Sequence, residues 1–490
     1  MQKNVLAFDF GASSGRAIVG VFKEGALELD EIHRFVNYPI EKEGHLFWDI
    51  NYLFEQVLLG IQKACQKYKI DSLGIDTWGV DFGLLNKEGE LLQNPYNYRD
   101  TQTIGMIEKV KEQIDLNELY HQTGNQIMEI NTLFQLLAIK NKNPELFESI
   151  DKILFMPDLM NYLLTGTKAA EMSIASTSQM IDVHTNQWAE NILSKFNIPI
   201  EIMPKLVESG NFLGKTKASL GIPEIPVYNI CEHDTASAVI SIPSNQKFLF
   251  VSCGTWSLVG TELPMPIVNE KAYKYNLTNE KGIDNTTRFL KNCTGLWIIQ
   301  ELRRNFEEVG RKYSFAELAD LASGAKAFKC WIDTDDPLFS TPGNMVSRIQ
   351  NYALETNQEI PETDGELARC IYESLAMKYK YTFLEINDAT EMEFDTVNIV
   401  GGGSQAEILC QMVSDAANMR VCAGPVEATA IGNIAAQLLA QGVFSNIYEV
   451  REWVKKSTAV KYYFPGNTKN DWDQEFSNYQ KIIEKRGVLC

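Results

Sequence analysis

The residues best able to do chemistry near the start of the chain lie in one short turn, residues 8–16, which read FDFGASSGR. Glycines let backbone amides approach an anion, and the hydroxyls of Ser13 and Ser14 add further donors. Arg16 supplies a planar guanidinium suited to phosphate. Asp9 would repel a bare phosphate, so we expect a magnesium ion between this carboxylate and the phosphate oxygens. A purely structural hairpin turn with a capped aspartate is the alternative.

Two more glycine turns occur in the second half of the chain. Gly254 and Thr255 lie between two apolar segments and predict phosphate donors from a second side. The triple glycine at residues 401–403 lies between a predicted strand and a predicted helix, where bare backbone offers a wall for a nucleotide. A tight packing turn is the alternative for the triple glycine. The segment from residue 209, SGNFLGKTK, has Walker-like letters, but its glycine spacing is one residue short and no strand precedes it, so we predict a surface turn.

The residues 232–235, EHDT, place a histidine beside an aspartate just before a predicted helix. Asp234 as a helix N-cap is one interpretation. The other makes Asp234 a general base that accepts a hydroxyl proton during phosphoryl transfer, with His233 and Thr235 holding the acceptor. These four residues alone leave both interpretations open.

The stretch of residues 72–85, SLGIDTWGVDFGLL, combines a predicted strand and turn with several polar groups. Trp78 adjoins Gly79, which leaves room for the face of a sugar, although a tryptophan is more often part of the core. Asp76 and Asp81 are five residues apart and need not face the same way. Pocket lining and a structural role therefore both stay open for these three side chains.

Composition restricts the class of protein. At 490 residues the chain is about three times a typical domain, which predicts two large domains. The formal net charge of −19 and the lack of any Lys/Arg run argue against nucleic acid or an anionic membrane as a partner. No apolar run approaches the roughly 20 residues of a membrane span, and no secretory leader is recognisable. We expect a cytoplasmic protein, and the sequence indicates no oligomeric state.

Cysteine usage and element order complete the outline. The nine cysteines are scattered without a Cys-x-x-Cys pair, which is typical of buried thiols in a reducing compartment and speaks against zinc or disulfides. Residues 4–22 and 247–262 each predict a strand, a turn with glycine and hydroxyls, and a second strand. The two hairpins suggest two related halves facing a shared cleft. We place the domain boundary near residue 243, in the loop SIPSNQ.

Read together, these motifs resemble the FGGY carbohydrate kinases. FDFGASSGR, CEHDTASAV, SCGTWSL, VNIVGGGSQ and AGPVEATAIGNIAAQ occur in that family's order and spacing over essentially the whole chain. The resemblance implies an α/β fold of two ribonuclease-H-like, actin-like ATPase domains flanking a central cleft. It further implies an N-terminal domain at 1–243 that carries the sugar site and the first phosphate turn, and a nucleotide-binding C-terminal domain at 244–490.

The resemblance also assigns site residues. Asp234 falls at the proton acceptor and Asp9 lies near the magnesium. The positions implied for sugar binding are Gly79, His233, Asp234, Thr235 and Asn292. The positions implied for ATP binding are Ala12, Ser13, Ser14, Gly15, Arg16, Thr255, Gln300 and Gly402.

The activity implied is transfer of the terminal phosphoryl group of ATP to a sugar, with Mg²⁺ as cofactor and closure of the two domains around the substrates. DTWGVDFGLL, YRD at residues 98–100 and MPDLMNYLLTG are similar to the subfamily that phosphorylates L-rhamnulose at its C1 hydroxyl. A kinase for another ketose such as L-fuculose is one alternative. A non-catalytic actin-like nucleotide-binding protein is the other, although it would not need a base in an HDT turn.

Overall fold

The computed structural model of the protein describes residues 2–466 and 469–487, so Cys490 lies outside the described residues. The opening motif forms the predicted strand, turn and strand. Its strands are β1 (Gln2–Phe10) and β2 (Ser14–Lys23), which pair antiparallel. β1 is buried from Val5 to its end, because strands pair with both of its edges and the helices at 50–67 and 428–440 pack on it. The turn between them is therefore carried by a rigid pair of strands.

The other strands follow in chain order, and many of them are short. They are β3 (Ala26–Val36), β4 (Ile40–Lys42), β5 (His45–Phe47), β6 (Ser72–Thr77), β7 (Phe82–Leu85), β8 (Lys152–Phe155), β9 (Ala169–Glu171), β10 (Ile181–Asp182), β11 (Gln187–Trp188), β12 (Lys205–Val207), β13 (Phe212–Lys215), β14 (Pro226–Tyr228), β15 (Leu249–Cys253), β16 (Trp256–Leu263), β17 (Thr278–Lys281), β18 (Thr287–Thr294), β19 (Thr396–Val400), β20 (Arg420–Ala423) and β21 (Lys461–Tyr463).

Helices separate these strands. They are α1 (Ile50–Lys67), α2 (Met106–Lys111), α3 (Leu116–Thr123), α4 (Thr132–Lys142), α5 (Pro144–Glu148), α6 (Met156–Thr165), α7 (Met172–Ala175), α8 (Glu190–Lys195), α9 (Asp234–Ile240), α10 (Glu270–Lys274), α11 (Trp297–Glu308), α12 (Phe315–Gly324), α13 (Met345–Glu355), α14 (Asp364–Thr390), α15 (Glu407–Ala417), α16 (Ala428–Ala440), α17 (Ile447–Ser457) and α18 (Lys469–Gly487).

The first large sheet has the strand order β13-β14-β6-β1-β2-β3. β1, β2 and β3 form an antiparallel meander, whereas β6 runs parallel to β1 and β14 parallel to β6. The edge strand β13 is antiparallel to β14 and contains part of the Walker-like segment. The surface turn predicted there is wrong: the Walker-like letters Gly214 and Lys215 belong to a strand, and Thr216 is buried with its hydroxyl on the carbonyl of Pro223.

The second large sheet repeats this arrangement. Its order is β17-β18-β16-β15-β19-β20-β21, in which β15 and β16 pair antiparallel, β19 and β20 follow in parallel, and β21 closes the edge antiparallel. Strands β18-β16-β15-β19-β20-β21 thus correspond in order to β3-β2-β1-β6-β14-β13. The weak similarity of the two hairpins in sequence therefore reflects two halves built on the same sheet plan.

The chain divides into two compact units that do not follow a single cut. Unit 1 contains residues 1–245, 262–289 and 428–457, and unit 2 contains residues 246–261, 290–427 and 458–490. The predicted boundary near residue 243 lies two residues before the end of the first segment of unit 1. The assignment of roles to 1–243 and 244–490 stays a prediction.

Within unit 1, α16 comes from far along the chain and packs on β1, β6 and α9. Ile431, Ile434 and Leu438 of α16 join Val5 and Ile240 in one apolar cluster. Over residues 2–466 and 469–487, no helix is long and apolar enough to cross a membrane. The eight cysteines of that part of the chain are free thiols, all buried except the half-buried Cys65.

Candidate active site

Three carboxylates of unit 1 define the candidate site, and two of them lie side by side on neighbouring strands. Asp9 near the end of β1 is in register with Arg16 on β2 and with Asp76 on β6. Arg16 Nη2 donates to Asp9 Oδ2 at 2.6 Å, so this guanidinium holds the carboxylate rather than pointing away from it. Asn433 Nδ2 of α16 donates to Asp76 Oδ2 at 2.6 Å.

Asp76 is fully enclosed, and its Oδ1 has no hydrogen-bond partner. Burial raises the pKa of Asp76 well above its usual range, and the negative charge of Asp9 raises it further. The hydrogen bond from Asn433 and the charge of Arg16 act in the opposite direction. Asp76 is therefore a buried carboxyl group with a raised pKa, directly beside the ion pair of Asp9 and Arg16.

The opening turn is a hairpin turn fixed by Asn37. The Asn37 side chain donates to the Gly11 carbonyl at 2.8 Å, and its backbone amide donates to the Ser13 carbonyl at 3.0 Å. Ser13 is exposed and Ala12 is half-buried. Gly15 is required for packing, because a Cβ there would lie 2.2 Å from the ring of Phe35.

The HDT turn forms the start of α9. His233 is the N-cap residue and makes no side-chain cap bond, so Asp234 is the first helical residue rather than the cap. Asp234 Oδ1 accepts from the backbone amide and the hydroxyl of Thr235. The side chain of Asp234 keeps 30% exposure. Burial raises the pKa of Asp234, the charge of His233 lowers it, and that of Asp9 raises it.

The loop before His233 is tied down by buried carboxyl groups. Glu171 Oε2 accepts from the Glu232 amide at 3.1 Å, and Asn161 Nδ2 donates to Glu232 Oε1 at 2.7 Å. Burial raises the pKa of Glu232 well above its usual range, and the neighbouring carboxyl of Asp158 adds to the effect. The candidate base Asp234 therefore follows a loop whose backbone is held by buried hydrogen bonds.

His233 itself lies in a row of charged groups that sequence analysis missed. Its Nε2 is 3.4 Å from Asp234 Oδ1, and its Nδ1 is 3.3 Å from Glu280 Oε2. Arg288 Nη1 is 3.1 Å from the same Glu280 oxygen. Glu280 and Arg288 follow the HDT turn by more than 40 residues and occur in no motif, so no local signal marks them.

The turn that contains Gly79, one of the residues assigned to sugar binding, is strained. Gly79 lies close to Thr177, whose Oγ1 would be 3.2 Å from an added Cβ. The next residue, Val80, has φ of 68°, a conformation that β-branched residues rarely adopt. Its amide donates to Thr177 Oγ1 at 3.1 Å and its carbonyl accepts from Thr132 Oγ1 at 2.6 Å. Strain held in this way is frequent at ligand sites.

Asp81 and Trp78 have a structural role. Asp81 Oδ2 accepts from the indole nitrogens of Trp48 at 2.6 Å and Trp78 at 2.9 Å, while Gln135 Nε2 donates to Oδ1 at 2.9 Å. Both indoles are buried and their ring centroids are 4.2 Å apart. Of the alternatives left open by the sequence, these contacts support the structural one for both residues.

Unit 2 carries the other predicted nucleotide residues. Thr255 Oγ1 lies 3.5 Å from Gln300 Oε1 of α11. The Leu296 amide donates to the Gly254 carbonyl at 2.8 Å, and the Gly295 amide to the Thr255 carbonyl at 3.1 Å. The start of α11 is therefore tied to the Gly254 turn. Asn292 lies on β18 in the same unit and is half-buried.

The three glycines at 401–403 have different roles. Gly401 has φ of 80°, and a Cβ on Gly403 would lie 2.1 Å from Cys253 Sγ, so both are needed for the turn and its packing. Gly402 is exposed and its Cβ position meets nothing within 4 Å. A short 3₁₀ turn, Gly402–Gln405, lies between β19 and α15. Only Gly402 is free to face a ligand.

Comparison with solved structures shows the fold. The fold matches a gluconate kinase from Lactobacillus acidophilus with a TM-score of 0.80 at 17% identity, covering 100% of this chain and 98% of that one. It matches a xylulose kinase from Rhodospirillum rubrum with a TM-score of 0.80 at 15% identity, covering 99% of both chains. The protein therefore has the two-domain, actin-like fold of sugar kinases, as predicted.

Sequence comparison narrows this to a family. Residues 4–241 match the N-terminal domain and residues 249–441 the C-terminal domain of the FGGY family of carbohydrate kinases. A rhamnulokinase from Oceanobacillus iheyensis is 41% identical over 462 residues (93% of this chain, 97% of its own), and one from Halalkalibacterium halodurans is 42% identical over 464 residues (94% and 98%). The chain belongs to the FGGY carbohydrate kinases.

Proposed function

We propose that the protein transfers the terminal phosphoryl group of ATP to the C1 hydroxyl of L-rhamnulose, giving L-rhamnulose 1-phosphate and ADP in L-rhamnose catabolism. The observation that carries the chemistry is Asp234, a carboxylate with a raised pKa that still reaches solvent and lies beside His233. The choice of sugar is supported by near-full-length similarity to rhamnulokinases, which extends to 39% identity with that of Bacillus subtilis. A cytoplasmic location and the absence of nucleic-acid partners stay predictions from the sequence.

In this proposal Asp234 accepts the proton of the attacking hydroxyl. A carboxylate with a raised pKa is a better proton acceptor near neutral pH than an ordinary aspartate. The sugar is oriented by four further residues, His233, Thr235, Gly79 and Asn292. Their contacts use binding energy to hold the reacting hydroxyl in position. Phosphoryl transfer then needs little covalent chemistry from the protein.

The residues proposed to bind ATP are those that the resemblance implies. They are Ala12, Ser13, Ser14, Gly15 and Arg16, and Thr255, Gln300 and Gly402. Among the described residues no three His, Cys, Asp or Glu side chains are grouped to hold a metal ion. Mg²⁺ in nucleotide-dependent enzymes usually takes one or two carboxylates together with water and phosphate oxygens.

Asp9 is the residue that fits Mg²⁺. It offers hard oxygen ligands, and its charge raises the pKa of both Asp76 and Asp234, a repulsion that a cation would relieve. The ion would neutralise charge on the phosphate groups of ATP. Arg16 holds the Asp9 carboxylate in place, with 2.6 Å between Arg16 Nη2 and Asp9 Oδ2.

We expect Asp9→Ala to raise the magnesium concentration needed for half-maximal turnover, and Thr255→Ala to raise the KM for ATP without changing the KM for the sugar.

The function is tested by measuring ADP release with purified protein and a panel of ketoses, namely L-rhamnulose, L-fuculose, L-ribulose and D-xylulose. L-rhamnulose is expected to give the highest kcat/KM, because a misplaced hydroxyl leaves a buried partner unpaired. A higher kcat/KM for L-fuculose would overturn the sugar assignment and leave the kinase assignment standing. No ADP release with any ketose would favour the non-catalytic alternative. Asp234→Asn protein, assayed in parallel, controls for contaminating kinases.

A further inference from the structure

The buried pair Glu280 and Arg288 has no role in the function proposed above. The Arg288 side chain has no exposed surface, and that of Glu280 is 5% exposed. An arginine out of water is costly unless a carboxylate and further acceptors compensate it. A pair of this kind beside the candidate site therefore calls for an explanation.

A β-hairpin holds the pair in place. Glu280 lies on β17 and Arg288 on β18, and Arg288 Nε donates to the Lys281 carbonyl at 3.0 Å. The turn closes with the Gly282 amide donating to the Thr286 carbonyl at 2.9 Å. The carboxylate and the guanidinium therefore come from adjacent strands and cannot move apart without opening the hairpin.

The glutamate faces His233 with the same oxygen that meets the arginine. Glu280 Oε2 lies 3.3 Å from His233 Nδ1 and 3.1 Å from Arg288 Nη1. Burial acts to raise the pKa of Glu280, but Arg288 and His233 outweigh it and hold that pKa below its usual value. Glu280 is thus an anion, and an anion can only accept hydrogen bonds.

We propose that Glu280 and Arg288 are positioning residues that keep a proton on His233 Nδ1 and so turn Nε2 toward Asp234 and the reacting hydroxyl. An unprotonated Nδ1 would place a lone pair against the carboxylate, whereas a protonated one is attracted to it. The opposite nitrogen, Nε2, lies 3.4 Å from Asp234 Oδ1, so this second carboxylate competes with Glu280 for the single proton of a neutral imidazole. This arrangement of base, histidine and orienting carboxylate follows the general logic by which a third group orients a catalytic pair.

Other groups around His233 do not compete for Nδ1. Its backbone amide donates to Ser173 Oγ at 3.2 Å, and Thr77 pairs with it through a parallel β-bridge. Glu232, the preceding residue, directs its side chain to Asn161 instead. Asp234 Oδ1, the oxygen that faces Nε2, already accepts two hydrogen bonds from Thr235. Glu280 is therefore the carboxylate better placed to hold the proton, on Nδ1.

The first test needs no substrate, so it is independent of the sugar assignment. The chain has five histidines, and ¹⁵N-histidine labelling resolves their imidazole nitrogens by long-range ¹H–¹⁵N correlation. The signal lost in His233→Gln identifies His233. A protonated, pyrrole-like Nδ1 in the wild-type protein is expected, with a shift toward the Nε2–H tautomer in Glu280→Gln. A pyridine-like, unprotonated Nδ1 in the wild type would overturn the proposal.

The second test is kinetic and rests on the proposed function. In Glu280→Gln the KM for the ketose should rise and kcat should fall, lowering kcat/KM by about tenfold or more, with the KM for ATP unchanged. Glu373→Gln is the matched control, because Glu373 is a buried carboxylate of unit 2 that pairs with Arg369 at 2.7 Å. Should Glu280→Gln fail to fold, Glu280→Asp keeps the charge and is expected to retain the Nδ1–H tautomer.

Equal kinetic effects of Glu280→Gln and Glu373→Gln on the sugar and on ATP would show a merely structural role and overturn the proposal. If L-rhamnulose is not the preferred ketose, the rise in KM is measured with the ketose that is. The failure of one proposal is therefore distinguishable from the failure of the other.

Discussion

At the scale of single residues, removal of the Asp234 carboxylate should affect the chemical step most specifically, with little effect on ATP binding. Replacement by Asn keeps the size and removes the proton acceptor, so we expect kcat to fall by roughly two to four orders of magnitude. ATP affinity should be largely retained, because the predicted ATP residues do not include Asp234. Steady-state kinetics with calorimetric titration of ATP measures both. Near-normal turnover of a folded Asp234→Asn protein would contradict the role of base.

A second prediction concerns Asp81 and the pH dependence of the free energy of unfolding. Burial raises its pKa to about 6, although Trp48, Gln135 and Trp78 lower it through hydrogen bonds. Because the pKa of Asp81 is higher in the folded than in the unfolded protein, its protonation adds to the free energy of unfolding. This contribution is fully present below about pH 3.8 and is lost as the pH rises through about 6. The wild type should therefore lose up to about 3 kcal/mol relative to Asp81→Asn between pH 4 and pH 7.

Urea unfolding of the wild type and Asp81→Asn, measured side by side at several pH values, tests this. Other titrating groups, including Glu373 with its pKa raised to about 7 by burial, act equally on both proteins and cancel in the difference. A stability difference that stays constant from pH 4 to pH 7 would refute the shifted titration of Asp81.

Residue types in the motifs predicted part of this site and missed the rest. Asp9, His233 and Asp234 were identifiable because each lies in a short motif whose chemistry is local. Arg16 was predicted to face phosphate, yet it is paired with Asp9, since register across β1 and β2 decides its neighbour. Glu280 was not predicted, because only the hairpin that carries it brings it to His233.

At the scale of elements, the close contact between α16 and α9 positions the candidate base. Gly432 of α16 approaches so closely that a Cβ would lie 1.7 Å from the carbonyl oxygen of Ser237 in α9. Gly432→Ala must therefore push α9 away, which typically costs about 1–3 kcal/mol for an overpacked core and also displaces Asp234 at the start of that helix. We expect both a lower melting temperature and a lower kcat.

Gly324→Ala is the matched control for this variant. Gly324 ends α12, and a Cβ there meets nothing within 4 Å. The melting temperature of the Gly324→Ala protein should equal or slightly exceed that of the wild type, because alanine reduces the conformational freedom of the unfolded chain. Wild-type stability and turnover in Gly432→Ala would show that the spacing of α16 and α9 is not critical.

The small residues of α16 let this helix lie close to the sheet, where it contacts β1 and β6. The polar residues on the same face were not anticipated. Gln437 Nε2 donates to the Leu6 carbonyl at 3.0 Å and Asn433 Nδ2 to Asp76 at 2.6 Å. Their partners are hundreds of residues away, so no local pattern reveals them.

At the scale of the whole molecule, the order of motifs was enough to predict the fold and the family. It could not predict which segments build which unit. Residues 428–457 return to unit 1 and contribute α16 and α17, although the motifs in and before α16 were assigned to the C-terminal half. Contacts such as that of Asn433 with Asp76, 357 residues apart, decide this division.

This division predicts that residues 1–245 do not fold stably alone. Without α16, the side chains of Val5, Ala7 and Ile230 lose the apolar partners Ile431 and Ile434, and exposed apolar surface of this kind favours aggregation. We expect the isolated fragment to lack a cooperative thermal transition in circular dichroism. A chain that joins residues 1–245, 262–289 and 428–457 by Gly/Ser linkers restores the complete unit and should unfold cooperatively. Cooperative unfolding of the 1–245 fragment by itself would mean that the first unit does not depend on the returning segment.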